Sequence, residues 1–138
     1  MFTQDTKMNL WVLFVIVMSF CGFTNISLKD VETAIIQQDY EQAQQMVEQL
    51  LSRELPDSQR HELLYYSGLC HLRLGRYDEA RKAYTELIKK KTDTSLRDKA
   101  YLGIFDTYYI DGYYKKALNS VTRLLKLSPK SEYLSLMY

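Results

Sequence analysis

The stretch that decides the fold runs from Gly75 to Ile88 and reads GRYDEARKAYTELI. Its apolar residues recur at the helical intervals i, i+3, i+4, i+7 and i+8, at Ala80, Ala83, Tyr84, Leu87 and Ile88. This is the pattern of an amphipathic helix that buries one face. Gly75 suits a tight turn before the helix, because glycine adopts the left-handed backbone conformation without a steric clash. The stretch therefore predicts a helix entered from a short turn.

The same pattern occurs twice more, at a spacing of 37 residues. QDYEQAQQMVEQLL begins at Gln38 and GYYKKALNSVTRLL begins at Gly112. Three kinds of residue then coincide in register: Tyr40, Tyr77 and Tyr114, then Ala43, Ala80 and Ala117, then Leu50, Leu87 and Leu124. A repeat of about 20 to 50 residues is typical of stacked helical units. We call these three predicted helices the B helices.

A second helix, the A helix, is predicted upstream of each B helix. Leu64, Gly68, His71 and Leu72 in the second unit match Tyr101, Phe105, Tyr108 and Tyr109 in the third. The short turns at Gly75 and Gly112 require A and B to pack antiparallel, and the low content of glycine and proline favours helices throughout. We predict an all-α protein with hairpins over about 26–56, 57–93 and 94–129, and the start of a fourth over 130–138.

At these positions the sequence resembles the tetratricopeptide repeat family. The resemblance covers about residues 26–138 and implies a right-handed α-α superhelix. The residues at the family's packing positions are Gly68, Gly75, Tyr77, Ala80, Tyr84, Gly112, Tyr114 and Ala117. LPDSQRHELLYYSGLCHLRLG and LLKLSPKSEYLSLMY also look like repeats of bacterial envelope scaffolds, including the periplasmic partner of the Tol-Pal system and outer-membrane-assembly lipoproteins.

Two positions depart from the family pattern. Phe105 stands where the second unit has Gly68, so we expect looser packing of A against B in the third unit. Gln38 stands where the later units have Gly75 and Gly112. The first unit is therefore the weakest match.

The resemblance also implies a binding surface, because solenoids of this family bind partners in a concave groove formed mainly by A helices. The family's groove positions fall on Glu62, Tyr65, Leu69, Leu72, Arg73, Lys99, Leu102, Asp106, Tyr109 and Ile110. Family members that clamp a C-terminal carboxylate use lysine and asparagine where this chain has Tyr65, Leu69 and Asp106, so that clamp is absent. The apolar and aromatic groove favours an apolar helix or an extended peptide, although some of these side chains could instead pack against neighbouring helices.

Residues 1–25 are predicted to direct the chain to a membrane. No charged residue occurs between Lys7 and Lys29, and LWVLFVIVM from Leu10 to Met18 is unbroken apolar. The dense apolar part is short, so a cleaved signal peptide and a retained anchor both fit, and a buried helix of a soluble protein is a third alternative. Cys21 follows the run where a bacterial lipoprotein carries its lipidated cysteine, but the bulky Phe20 before it fits such a site poorly. This segment and the narrower resemblance favour a membrane-associated or exported protein of the bacterial cell envelope.

Composition excludes several other functions. Lys and Arg number 18 against 17 Asp and Glu, so there is no strongly basic field for nucleic acid. His61, His71 and Cys70 lack the spacing of metal ligands, and no nucleotide or nucleophile motif occurs. Cys70 occupies a small-residue position matched by Thr107, so we expect a buried structural thiol. No metal or cofactor is predicted.

The sequence thus predicts a non-enzymatic scaffold that binds a protein partner in its groove. Two alternatives stay open: the regulatory front part of a longer repeat protein, and an accessory subunit of an enzyme in which Cys70 or His71 is active. Val121, Leu124 and Leu125 of the last B helix are expected to need a further A helix or another subunit over them. Self-association through this end of the array is therefore a further expectation.

Overall fold

A computed structural model describes residues 25–133 of the 138-residue chain. Within this range the chain forms helices and no strands. The six helices are α1 (Leu28–Ile36), α2 (Tyr40–Leu51), α3 (Asp57–Arg73), α4 (Tyr77–Lys89), α5 (Thr94–Ile110) and α6 (Tyr114–Leu127). The predicted all-α class and the three hairpins α1–α2, α3–α4 and α5–α6 are therefore confirmed for the described residues.

The helix boundaries keep the 37-residue period of the sequence. The B helices α2, α4 and α6 begin at Tyr40, Tyr77 and Tyr114, and the A helices α3 and α5 begin at Asp57 and Thr94. Both of these A helices contain 17 residues, whereas α1 contains 9. The first unit therefore has a full B helix but a shorter A helix.

The turn between A and B has the same backbone conformation in every unit. Gly75 and Gly112 have φ values of 74° and 80°, and Gln38 at the matching position has φ of 63°. All three lie in the left-handed region, which glycine enters without strain and other residues enter at a cost. The turn geometry is thus imposed on the first unit even though it lacks the glycine.

The core runs continuously through the stacked hairpins. Its central cluster joins Leu64 of α3, Ala80, Tyr84 and Leu87 of α4, and Ala100 of α5. A second cluster joins Val31, Val47, Leu50 and Leu63 across α1, α2 and α3. The A helices α3 and α5 each pack against the B helix of their own unit and against the B helix of the unit before it, as expected for a solenoid.

Tyr84 is the key side chain of the central cluster. It is 1% exposed, and a Cβ atom added at Gly68 would lie 2.5 Å from its ring. A Cβ atom at Gly103, on the A helix of the next unit, would also lie closer than 3.0 Å to the ring. Gly68 was predicted as a packing position, whereas Gly103 was not. The ring therefore occupies space that two glycines on neighbouring A helices leave open.

The third unit packs differently from the second. Phe105 and Val121 stand where the second unit has Gly68 and Tyr84, so the bulky residue has moved from helix B to helix A. The Phe105 ring stacks on that of Tyr109 at a centroid distance of 5.6 Å. Tyr101 of α5 and fully buried Leu124 of α6 form a cluster that joins the two helices. The two helices of the third hairpin therefore remain in contact where Tyr101 meets Leu124, despite the bulk of Phe105.

Two expectations about the third unit are wrong. Tyr114 was predicted as a packing position, but it is 64% exposed, whereas the matching Tyr40 packs against a buried cluster that includes Cys70 of the following A helix. Residues 25–133 contain no following A helix to cover Tyr114. Leu124 was expected to lie uncovered, but it is buried beside Tyr101, and only Leu125 of the two leucines is exposed, at 38%.

The start of α5 is organised by acidic residues. The Asp93 carboxylate accepts hydrogen bonds from the backbone N–H groups of Ser95, at 2.9 Å, and Leu96, at 3.3 Å, and so caps the helix. Buried Asp98 accepts a hydrogen bond of 2.8 Å from Ser128 Oγ, just after the end of α6. This bond joins the two ends of the third hairpin.

The predicted membrane segment over 1–25, with its candidate lipidation site Cys21, lies almost wholly outside the described residues. Within residues 25–133, no helix is both long enough and apolar enough to cross a membrane. Most of the predicted fourth helix also lies outside this range, and its first residues end in a short 3₁₀ turn at Glu132 and Tyr133.

Candidate functional site

The ten predicted groove residues lie on α3 and α5, and we call the surface that carries them the A-helix surface. On each helix they recur at intervals of three and four residues, which places them along one face. Matching positions on the two helices are 37 residues apart, so Tyr65 corresponds to Leu102 and Leu69 to Asp106. The repeat thus presents two neighbouring helix faces side by side.

Tyr65, Lys99 and Tyr133 form the best-defined contact group on this surface. The Lys99 ammonium lies 6.0 Å from the ring centroid of Tyr65 and 5.9 Å from that of Tyr133. The Tyr133 hydroxyl is 3.1 Å from Ser95 Oγ, in a hydrogen bond that either group could donate. A cation between two aromatic rings is a modest attraction at an exposed site. This attraction holds the Lys99 side chain between the ring of Tyr65 on α3 and that of Tyr133, which follows α6.

The Tyr65 ring is anchored from below. It lies 6.0 Å from the ring of buried Tyr84 and 5.7 Å from that of Tyr66, centroid to centroid. Burial raises the pKa of the Tyr65 phenol, an effect that the positive charge of Lys99 partly offsets. Tyr66 in turn donates a hydrogen bond of 2.9 Å to Glu32 on α1. Tyr65 is therefore a rigid aromatic platform, neutral at ordinary pH.

The charges of this surface include both signs. Burial raises the pKa of the Asp106 carboxyl, and the positive charge of Arg73 partly offsets the rise. Arg73 and Asp106 are both exposed, and both influence the ionisation of Tyr65. An Arg on α3 and an Asp on α5 can therefore offer a hydrogen-bond donor and an acceptor beside the aromatic platform.

Exposure divides the ten residues into two groups. Four are exposed, namely Arg73, Asp106, Tyr109 and Ile110. Six are partly buried, namely Glu62, Tyr65, Leu69, Leu72, Lys99 and Leu102. Three of these also support the core: Tyr65 and Leu72 pack against the central cluster, and Leu102 against Tyr101 and Leu124. Leu69 belongs to neither set of core contacts, which makes it the most suitable apolar probe of this surface.

Sequence reasoning missed the roles of Tyr133, Ser95 and Phe105 at this surface. Tyr133 is the repeat equivalent of Leu96, 37 residues earlier. That position had not been assigned to the groove, so no motif identified Tyr133. The Asp93 side chain caps α5, and the Ser95 hydroxyl contacts that of Tyr133 instead. Phe105 had been noticed only as a packing departure. Its stacking on Tyr109 adds an aromatic pair to the surface.

Cys70 and His71 lie on the other sides of α3. Cys70 is fully buried, and burial raises the pKa of its thiol to about 11. A thiol of this pKa is almost wholly protonated at neutral pH and so a poor nucleophile. Burial also lowers the pKa of His71, with a smaller contribution from the positive charge of Arg76. The predicted burial of Cys70 is confirmed.

Comparison with known proteins gives one match. Residues 32–94 match the family model described as tetratricopeptide repeat. The match covers most of the first unit and the whole of the second, and it ends at Thr94, where α5 begins. Over these residues the chain is similar to the tetratricopeptide repeat superfamily, whose members are typically non-catalytic and generally mediate protein–protein interactions. The match does not extend to the narrower resemblance to envelope scaffolds. Comparison with the curated proteins and with the solved structures found no match.

Proposed function

We propose that this protein is a non-catalytic scaffold that binds a protein partner on the A-helix surface. The observation that carries the proposal is the aromatic platform of Tyr65, fixed by Tyr84 beneath it and by Lys99 beside it. Rigid tyrosines contribute large contact area at low entropic cost, and they are enriched where proteins meet. Partly buried Leu69 lies one helical turn further along the same face of α3.

The chemistry of the surface defines the kind of partner. Tyr65, Leu69 and Leu102 suit aliphatic or aromatic side chains, and Arg73 and Asp106 suit a polar group of either sign at the edge. A short helix or an extended segment with two or three apolar anchors would satisfy both. A partner recognised by its terminal carboxylate would not, because the surface has no cluster of lysine and asparagine at the required positions.

The proposal is tested by reversing the character of one surface residue. Leu69→Glu places a charge where an apolar anchor would bind, and we expect it to abolish partner capture from the native cell. Tyr109→Glu should have the same effect at the exposed end of α5. Thr85 is an exposed residue of α4, and Thr85→Glu is the matched control, which we expect to leave partner capture unchanged. Circular dichroism of each variant separates loss of binding from loss of fold.

We further propose that residues 1–25 bring this scaffold to a membrane of the cell envelope. The support is the uncharged segment between Lys7 and Lys29 with its apolar run from Leu10 to Met18. Fusion of these residues to a reporter that is active only after export tests the proposal. A reporter that stays in the cytosol, unbound to membrane, would contradict it.

A further inference from the structure

A second surface stands out at the turn between α5 and α6. Five large apolar or aromatic side chains within ten residues are more than half exposed: Tyr109 at 57%, Ile110 at 57%, Tyr113 at 52%, Tyr114 at 64% and Leu118 at 64%. We call this set the third-turn patch. Exposed apolar groups concentrated in one place mark a site of interaction rather than ordinary surface.

The patch has no counterpart in the earlier units. At the matching turn of the second unit the chain has Leu72, Arg73, Arg76, Tyr77 and Arg81. There Leu72 and Tyr77 are partly buried, and Arg81 is held by Asp78 and Asp111. At the first turn only Ile36, at 80%, is a strongly exposed apolar residue. The repeat therefore does not require large apolar side chains at these positions. Within residues 25–133 the five side chains belong to no core cluster, although the rings of Tyr109 and Tyr114 contact each other at a centroid distance of 5.4 Å.

The charge around the patch is mainly positive. Residues 113–131 contain five lysines and arginines and no Asp or Glu, whereas the rest of the chain has 13 basic and 17 acidic residues. The nearest acidic residue, Asp111, pairs with Arg81 at 3.2 Å. Lys116 lies 4.8 Å from the ring centroid of Tyr113, so a cation is held directly beside the patch. The patch therefore lies beside the basic segment 113–131, whereas the remainder of the chain has more acidic than basic residues.

A cleft beside the patch has the same character. It encloses about 510 Å³ between α4, α5 and α6. Its charged residues are Lys116, Arg123 and Lys126, and apolar Ile88 and Ile104 lie among its walls. No acidic side chain lines it. An anionic group could therefore be held beside the patch as well as around it.

We propose that the third-turn patch docks on an anionic lipid surface, with its apolar side chains entering the interface and the basic residues of α6 meeting the headgroups. Tyrosines and lysines suit this position, because both combine an apolar body with a polar end. Lysine is depleted in protein–protein interfaces, yet four of the five basic residues here are lysines. The patch shares Tyr109 and Ile110 with the A-helix surface, but Tyr113, Tyr114 and Leu118 lie outside that surface. The lipid proposal rests on these three side chains and on the basic residues of α6, and it does not require a protein partner.

Two other occupants fit less well. A helix packed along α6 would cover Leu118, Leu125 and Leu127. It would leave Tyr109, Ile110 and Tyr113 uncovered, because these three residues precede α6. A second copy packed symmetrically through this surface would bring Lys115, Lys116 and Lys126 close to the same lysines of its partner. Like charges disfavour that arrangement.

The single tryptophan of the chain, Trp11, allows a direct test. In a Trp11→Phe background, Leu118→Trp places a fluorescent reporter in the patch, and Ile36→Trp places one at the other exposed apolar turn residue. Both full-length chains are mixed with vesicles of phosphatidylcholine and with vesicles in which phosphatidylglycerol replaces part of it. We expect a blue shift at position 118 with the anionic vesicles only, and none at position 36.

A second measurement tests the role of charge. Lys115→Gln with Lys116→Gln should weaken the vesicle-induced shift at position 118 by about 25-fold in partition, since each lysine near an anionic surface contributes about fivefold. Lys90→Gln with Lys91→Gln removes two exposed lysines at the end of α4 and should leave it unchanged. No shift at 118, equal shifts at 118 and 36, or equal effects of the two lysine pairs would overturn the proposal. The proposal would also be overturned if the fluorescence at position 118 shifted only on addition of a protein partner and not on addition of anionic vesicles.

Discussion

Gly103 of α5 packs directly against the ring of Tyr84 of α4, which also fills the space in front of Gly68 on α3. Adding a methyl group at either glycine forces the ring to move within a closed core. We therefore expect Gly103→Ala and Gly68→Ala each to lower the free energy of unfolding by about 1–3 kcal/mol, although alanine favours a helix by about 1 kcal/mol over glycine. Urea unfolding followed by circular dichroism measures both effects.

A double-mutant cycle shows whether the Tyr84 ring is the cause. Tyr84→Leu makes room near both glycines, so Gly103→Ala should cost less in that background than in the native chain. Equal costs in the two backgrounds would mean that the clash with Tyr84 does not set the penalty.

The turn of the first unit carries an avoidable strain at Gln38. Its φ of 63° is the conformation that Gly75 and Gly112 adopt at the matching positions. We expect Gln38→Gly to raise the free energy of unfolding by about 1 kcal/mol, because glycine enters this region without a Cβ clash. Thermal unfolding gives the measurement. Gly75→Gln is the reciprocal variant and should destabilise by a similar amount, since no atom blocks a side chain there and only the backbone is strained.

The third hairpin is joined at its open end by Asp98 and Ser128. Asp98 is 3% exposed, accepts the Ser128 hydroxyl at 2.8 Å and lies 3.8 Å from Arg97 Nε. We expect Ser128→Ala to cost about 1 kcal/mol, the value of a typical hydrogen bond. Asp98→Ala should cost about 2–3 kcal/mol, because it leaves the buried Ser128 hydroxyl without its acceptor and removes the negative charge beside Arg97.

Hydrogen exchange at the end of α6 locates this effect. Both substitutions should speed exchange at Leu124–Leu127 more than at Val47–Leu50 in the first unit. Uniform acceleration over all helices would contradict a local role for the Asp98 contact.

The fold could be predicted in large part because the repeat makes each element visible more than once. Tyr77 and Tyr114 begin their helices at the spacing that the sequence indicated, and Gly75 and Gly112 turn as expected. Gly103 was missed because its partner Tyr84 lies on the preceding unit. The 37-residue register aligns equivalent positions of different units, but it does not show which residues of neighbouring units touch. The cap at Asp93 was not predicted, because the repeat register compares the helices and does not mark the residue that caps each of them.

The A-helix surface was harder to predict than the fold. Helix periodicity identifies a face, and so Tyr65, Leu69 and Leu102 could be placed together. Periodicity does not show how deeply each side chain is buried, and Tyr65, Leu72 and Leu102 contribute to the core as well as to the surface. Tyr133 was missed because its contact with Lys99 depends on where the chain turns after α6.

The reactivity of the Cys70 thiol can distinguish a scaffold from an enzyme that uses this thiol. Because it is fully buried and its pKa is raised to about 11, we expect no alkylation at neutral pH in the folded chain and rapid alkylation in denaturant. Peptide mass spectrometry distinguishes Cys70 from Cys21. Cys70→Ser should leave partner capture intact, and a loss of capture without loss of fold would favour an active role for the thiol.

The central claim is that a protein partner binds the A-helix surface, and site-specific photo-crosslinking in the native cell tests it most directly. A photoreactive residue at Leu69 is compared with the same residue at exposed Thr85 on α4. We predict that position 69 crosslinks one dominant partner, that position 85 does not, and that Tyr109→Glu removes the crosslink. Crosslinking of the same proteins from both positions, or only within the chain itself from position 69, would contradict the proposed binding surface.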